Sequence, residues 1–170
     1  MKTKADIENP TMDVLFIEDQ PVVSEATSDK ISRSPRVASI HVCDTADKAL
    51  HALRSEPDRW GLIVLDLDVP GAIGLSLAME IKRLGKAAIT CILTGAHSAD
   101  YIALAAAGGF QGYILKAMEI EALERALDSA IAGEKIFPPR KQNAPAGAPR
   151  LPVAPRPWIP FWSAPSVASL

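Results

Sequence analysis

Five residues in this chain combine a chemistry-bearing side chain with a position at the tip of an apolar run. Leu62-Ile63-Val64-Leu65 leads straight into Asp66, and Pro70-Gly71 turns the chain soon after. Asp13-Val14-Leu15-Phe16-Ile17 leads into Glu18 and Asp19. A run ending in Leu93 closes on Thr94, and Tyr113-Ile114-Leu115 closes on Lys116. Three carboxylates brought together repel one another unless a cation neutralises them. Hard oxygen ligands with room for water suit Mg²⁺. A carboxylate beside a metal and an ammonium is equipped to attack a phosphoryl group, with the metal and Lys116 balancing charge on the transferring oxygens and Thr94 donating a hydrogen bond to the acyl phosphate formed. For any one of these residues a solvated strand end is the plainer account. It is the five together, at successive strand ends, that point to a site.

The elements that must hold them follow from periodicity. Short continuous apolar runs bounded by turn signals read as strands buried on both faces. They are expected at 13–17, 37–43, 62–65, 88–93 and 113–115. Helical spacing fills the intervals. A helix of modest apolarity runs from Val22 to about Arg33, with Val23, Ala26, Thr27 and Ile31 toward the sheet. The next is capped by Asp44 or Thr45 and runs through Leu53. A third follows Gly74 to about Leu84, with Leu77, Ile81 and Leu84 apolar, and Gly85 ends it. A fourth is capped by Ser98 and runs from Ala99 to Ala107, and the last runs from Ile120 to Ala132. Five strand–helix units with short connections argue for an α/β fold, a doubly wound parallel sheet. In such sheets ligands bind in the crevice beyond the carboxyl ends of the strands, which is where the five polar residues stand.

The ordered set Glu18-Asp19, Asp66 in Leu65-Asp66-Leu67-Asp68-Val69-Pro70-Gly71, Thr94, and Lys116 in Gly112-Tyr113-Ile114-Leu115-Lys116 resembles the receiver domain of two-component response regulators, over residues 13–134. The resemblance implies a CheY-like, flavodoxin-like (βα)5 fold with strand order 2-1-3-4-5. It implies that Asp66 accepts a phosphoryl group from a sensor histidine kinase or a histidine phosphotransfer protein. Asp19, Asp66 and the backbone carbonyl of Asp68 would ligate Mg²⁺, with Glu18 acting mostly through water. Thr94 and Tyr113 would form the switch pair that signals to a downstream protein target. Ala117 stands where many receivers carry proline. Lys116-Ala117 and the later Ala130-Ile131-Ala132-Gly133-Glu134-Lys135 are similar to the NarL/FixJ subgroup, whose members usually add a helix-turn-helix domain. About 35 Pro-rich residues follow the last helix here, so the expectation is a single-domain regulator without direct DNA binding. Two other readings stay open: a non-phosphorylated receiver-fold scaffold that dimerises, and a phosphatase using the same carboxylates. The chain is otherwise not expected to be an enzyme, beyond hydrolysing its own acyl phosphate.

Composition adds boundaries. The net charge of −2 gives no global field for nucleic acid. No acid follows Glu134, whereas Lys135, Arg140, Lys141, Arg150 and Arg156 do, and nine of the fourteen prolines lie from Pro138 onward. The expected layout is a lead-in over 1–11, a receiver domain over 12–137 and a basic Pro-rich tail over 138–170. Trp158, Ile159, Phe161 and Trp162 make that tail unusually apolar for a solvated extension. They are expected to dock on the domain, on a sister subunit or on another protein; a homodimer would form through the tail or through the face of the last helix. Cys43 and Cys91 read as reduced core thiols. No run approaches a membrane span, and the first residues lack a signal peptide's apolar region. A cytoplasmic protein is expected. His41, His51 and His97 have no ligand spacing, though His97 lies near enough to Thr94 to rim the site.

Overall fold

The computed structural model describes residues 11–139, all within one unit, Met1–Pro139. The lead-in and the tail residues Trp158, Ile159, Phe161 and Trp162 lie outside the described residues. In chain order the elements are β1 (Met12–Ile17), α1 (Pro21–Ser32), β2 (Val37–Cys43), α2 (Ala46–Ser55), β3 (Trp60–Leu65), α3 (Ser76–Arg83), β4 (Thr90–Thr94), α4 (Ala99–Ala107), β5 (Gly112–Leu115) and α5 (Ile120–Ile131). The strands form one parallel sheet in the order β2-β1-β3-β4-β5. This is the doubly wound, flavodoxin-like arrangement.

Alternation along each strand sorts the core into two layers. Val14, Phe16, Leu62, Val64, Cys91, Leu93 and Ile114 turn to one face, where Ile31 of α1 and Leu127 and Ile131 of α5 cover them. Leu15, Ile17, Ile63, Leu65, Ile92 and Tyr113 turn to the other, against α2, α3 and α4. A strand covered on both sides must be apolar at every position, which is why β1 and β3 read as continuous runs. The helices divide unequally. α2 starts at Thr45, whose hydroxyl accepts the Lys48 N–H at 3.3 Å, and α4 at Ser98, whose hydroxyl accepts the Tyr101 N–H at 3.3 Å. Gly85, at φ +76°, takes the left-handed conformation that closes α3, with its N–H on the Lys82 carbonyl and the Lys86 N–H on Ile81.

Some local expectations need correction. Ala87–Ile89 is a 3-10 turn, and the strand begins only at Thr90. Ala88 is exposed there, because the chain is still climbing from α3 onto the sheet. In α1 only Thr27 and Ile31 are buried; Ala26 is exposed and Val23 half-buried. Val23, Thr27 and Ile31 stand four residues apart on one stripe, half-buried at its Val23 end, whereas Ala26 lies off that stripe. Leu84 falls after the last turn of α3 and is exposed, so it does not extend the Leu77–Ile81 stripe.

Sequence periodicity also misses how the edge beyond β5 is closed. After α5 the chain turns back and Ile136 forms a parallel bridge to Gly112. The Ile136 N–H donates to the Gln111 carbonyl at 3.1 Å, and the Tyr113 N–H to the Ile136 carbonyl at 2.7 Å. The buried Gln111 amide donates to the carbonyls of Ala130 at 2.7 Å and Glu134 at 3.2 Å, tying the end of α5 to this edge. Position 112 must be glycine for the approach: a Cβ there would meet the Ile136 carbonyl oxygen at 2.8 Å and the Cys91 sulfur at 3.0 Å. Gly112→Ala should therefore cost about 1–3 kcal/mol of overpacking strain. Urea unfolding checks the loss, and faster amide exchange at Tyr113 places it at this bridge; an unchanged midpoint contradicts it.

Candidate functional site

Register brings the polar strand ends to one edge. Ile17 pairs with Cys43 on one side and Leu65 on the other, Leu65 with Ile92, and Thr94 with Leu115. The next residue of each strand is held by its neighbour's backbone. Glu18 N–H donates to the Cys43 carbonyl at 2.9 Å, Asp66 N–H to Ile17 at 2.9 Å, and Lys116 N–H to Thr94 at 2.9 Å. Glu18, Asp66 and Thr94 are thereby buried, though each is polar.

Their side chains converge. Lys116 Nζ donates to Glu18 Oε2 at 2.5 Å and to Asp66 Oδ2 at 2.6 Å. Glu18 Oε1 also accepts the Gln20 N–H at 3.1 Å, and Asp66 Oδ1 the Asp68 N–H at 3.3 Å. Thr94 Oγ1 accepts the Ala96 N–H at 3.2 Å. Burial would pull the Lys116 ammonium down, but its hydrogen bonds to Asp66 and then Glu18, and their charges, outweigh it and hold its pKa above the ordinary lysine value. Lys116 is therefore a permanent cation in the crevice.

One ammonium does not balance three carboxylates. Glu18, Asp19 and Asp66 each place an oxygen within 4.8 Å of the others. Among the described residues Asp19 Oδ1 is buried with no hydrogen-bond partner. An orphaned buried oxygen beside two more carboxylates fits a hard divalent cation. These three residues are the side chains that would hold it. The Asp68 carboxylate is exposed and outside this cluster.

Tyr113 is turned inward, 1 % exposed, with its hydroxyl donating to the Ala96 carbonyl at 2.7 Å. The Ala96 residue thus touches both hydroxyl side chains, through its N–H to Thr94 and its carbonyl to Tyr113. Burial, then the nearby Tyr101 hydroxyl and Asp68 carboxylate, push the Tyr113 phenol up to about 12. The folded chain holds this proton more tightly than the unfolded chain, whose tyrosines titrate near ~10. The stability it contributes is complete below pH ~10 and is lost as pH rises through about 12. In Tyr101→Phe the remaining tyrosine should still ionise above the free value by tyrosinate absorbance, since burial is the largest cause of the shift; ionisation near the free value would contradict the buried hydroxyl.

The other singled-out residues divide simply. Cys43 and Cys91 are free and buried, and burial pushes the Cys91 thiol up to about 12. His97 is exposed on the loop after Thr94, and His41 and His51 lie away from the carboxylates, on β2 and α2. Trp60 is the buried first residue of β3, with the Arg59 guanidinium 4.6 Å from its ring centroid. Gln111 and Ile136, which fix the edge behind Tyr113, are the residues that sequence reasoning overlooked. A glutamine inside an apolar stretch before Gly112 was the available signal.

A family model described as the response regulator receiver domain matches residues 14–128. The chain belongs to this family. Among curated proteins the receiver is 30 % identical over 129 residues to the transcriptional regulatory protein CitT of Halalkalibacterium halodurans, covering 76 % of this chain and 56 % of CitT. It is 28 % identical over 125 residues to the nitrate/nitrite response regulator protein NarL of Escherichia coli, covering 73 % of this chain and 56 % of NarL. The chain thus spans little more than half the length of these relatives. Among solved structures, a LuxR-family two-component response regulator from Aurantimonas sp. SI85-9A1 superposes with a TM-score of 0.65 at 26 % identity, covering 76 % of this chain and 91 % of that one. The Mn²⁺-bound form of response regulator Rcp1 shares the receiver fold, with a TM-score of 0.60 at 21 % identity, covering 69 % of this chain and 90 % of that one. Among the described residues no helix is long and apolar enough to cross a membrane.

Proposed function

We propose that this receiver is phosphorylated on Asp66 by a sensor histidine kinase or a histidine phosphotransfer protein, and that the change is read by a protein partner. The observation that carries the reading is the pair of hydrogen bonds from Lys116 to Glu18 and Asp66, beside the partnerless Asp19 oxygen. An Asp66 carboxylate oxygen forms the new bond to phosphorus while the bond from phosphorus to the donor's imidazole nitrogen breaks, and the imidazole leaves with the electron pair. Asp19, Asp66 and the Asp68 backbone carbonyl would hold Mg²⁺, with Glu18 acting mostly through water, and the ion would supply positive charge to the phosphoryl oxygens. Lys116, hydrogen-bonded to Asp66, supplies a second fixed positive charge beside it. Thr94 exchanges its contact with the Ala96 N–H for one to a phosphoryl oxygen. The Ala96 residue then shifts, and Tyr113, hydrogen-bonded to its carbonyl, reports the change to the α4–β5 surface.

Incubating the full chain with acetyl phosphate and reading its intact mass tests this. With Mg²⁺ the mass should rise by one phosphoryl group; with EDTA it should not. No gain under either condition defeats the proposal and leaves a receiver fold that works as a scaffold.

A further inference from the structure

The open side of β2 is a second feature of the molecule, distant from Lys116. β2 is the outermost strand, and among the described residues nothing pairs with its far side. Its Cys43 carbonyl accepts the Glu18 N–H, so Cys43 faces β1. Main-chain groups alternate along a parallel ladder. Ile40 and Val42, out of step with Cys43, therefore turn N–H and C=O to the free edge; the register with β1 shifts opposite Ala38. A groove of about 590 Å³ runs beside this edge. Its strand wall is the consecutive run His41, Val42 and Cys43. Three successive residues can line one groove only if the backbone edge itself forms the wall, since their side chains point to opposite faces.

Edge strands are ordinarily guarded by charge, proline or a short length. This one has seven residues, Val37-Ala38-Ser39-Ile40-His41-Val42-Cys43, with no proline and no acid, lysine or arginine. Val42 is 43 % exposed. Such a strand meets no charge repulsion from its own copy. Antiparallel pairing about a two-fold axis at Ile40 sets Ile40 against Ile40, a β-branched cross-strand pair. The groove wall on α2 offers Asp47 and Lys48, of opposite sign, and otherwise His51, Ala52 and Ser55 before Glu56.

We propose that the β2 edge pairs with the β2 edge of a second copy of this chain, joining two five-stranded sheets into one. The full chain should sediment as a dimer whose population rises with concentration. Val42→Lys places a like charge on both sides of the seam and should yield a monomer. Val42→Pro removes an N–H that faces outward, leaving the β1 ladder intact, and should also yield a monomer. Both variants should keep the wild-type far-UV spectrum, and in wild type the Val42 amide should exchange at least ~10-fold more slowly at high than at low concentration. A wild-type chain that stays monomeric overturns the proposal. So does a dimer that persists in both variants, because its seam then lies elsewhere. If a variant misfolds, the concentration dependence of Val42 exchange decides: protection independent of concentration overturns the proposal.

Discussion

Asp66→Asn should take up no phosphoryl group from acetyl phosphate and Mg²⁺ while keeping the wild-type fold and nearly its stability. The amide is isosteric but offers no nucleophilic carboxylate, so the loss of uptake is complete. The small effect on stability follows from opposing charges. At an effective dielectric of about 20, each like-charge pair within the carboxylate cluster costs roughly 3–4 kcal/mol, and the Lys116–Asp66 pair returns roughly 6. Removing the Asp66 charge relieves two repulsions and forfeits one attraction, which nearly cancel. Lys116 still holds Glu18 at 2.5 Å. We expect a change in unfolding free energy within about 1 kcal/mol in Mg²⁺-free buffer. The stabilisation gained on adding Mg²⁺ should shrink, because one ligand is gone. Intact mass and paired urea titrations with and without Mg²⁺ decide it. Uptake that survives the substitution places the acceptor on another residue.

Lys116→Met should be the most destabilising change in the site. It preserves the length of the side chain and removes both ion pairs at once, leaving Glu18 and Asp66, 0 % and 2 % exposed, without their cation. Breaking a buried pair by deleting one partner costs about 3–5 kcal/mol. The midpoint of thermal unfolding should fall by roughly 10–20 °C. Two additions should restore part of it: millimolar Mg²⁺, which replaces the lost positive charge, and Asp66→Asn on the same chain, which removes one of the stranded carboxylates. A loss indifferent to both would show that Lys116 acts through packing of its stem, and the charge account would fail.

The contrast between these substitutions marks how far the site was legible in the sequence. Asp66, Thr94 and Lys116 were each visible as a polar residue ending an apolar run, because a strand covered on both faces has no other place for a charge. Their common edge followed from parallel strands. The bidentate role of Lys116 was not visible. It reaches Glu18 across 98 positions and Asp66 across 50, and no local pattern encodes a contact of that range. Asp68 shows the same limit: its carboxylate stands two residues from Asp66 and yet points to solvent. The stripe of α1 is legible as weak, but Ala26 faces solvent, since moderately apolar residues do not fix a helix's rotation.

By itself, then, the sequence determined the alternation of five strands and five helices, the two-sided burial of the central strands, and the chemical kind of every residue at the strand tips. These are consequences of period and of the cost of burying charge, both carried by short stretches of chain. Tertiary structure alone decided which oxygens Lys116 holds and that one Asp19 oxygen has no partner. It also decided that Tyr113 lies inward on the Ala96 carbonyl, that Ile136 returns to close the β5 edge, and that the β2 edge stays open beside a groove. Each of these depends on register and side-chain packing between segments far apart in the chain, where the free energy belongs to the assembled pair and to neither segment alone.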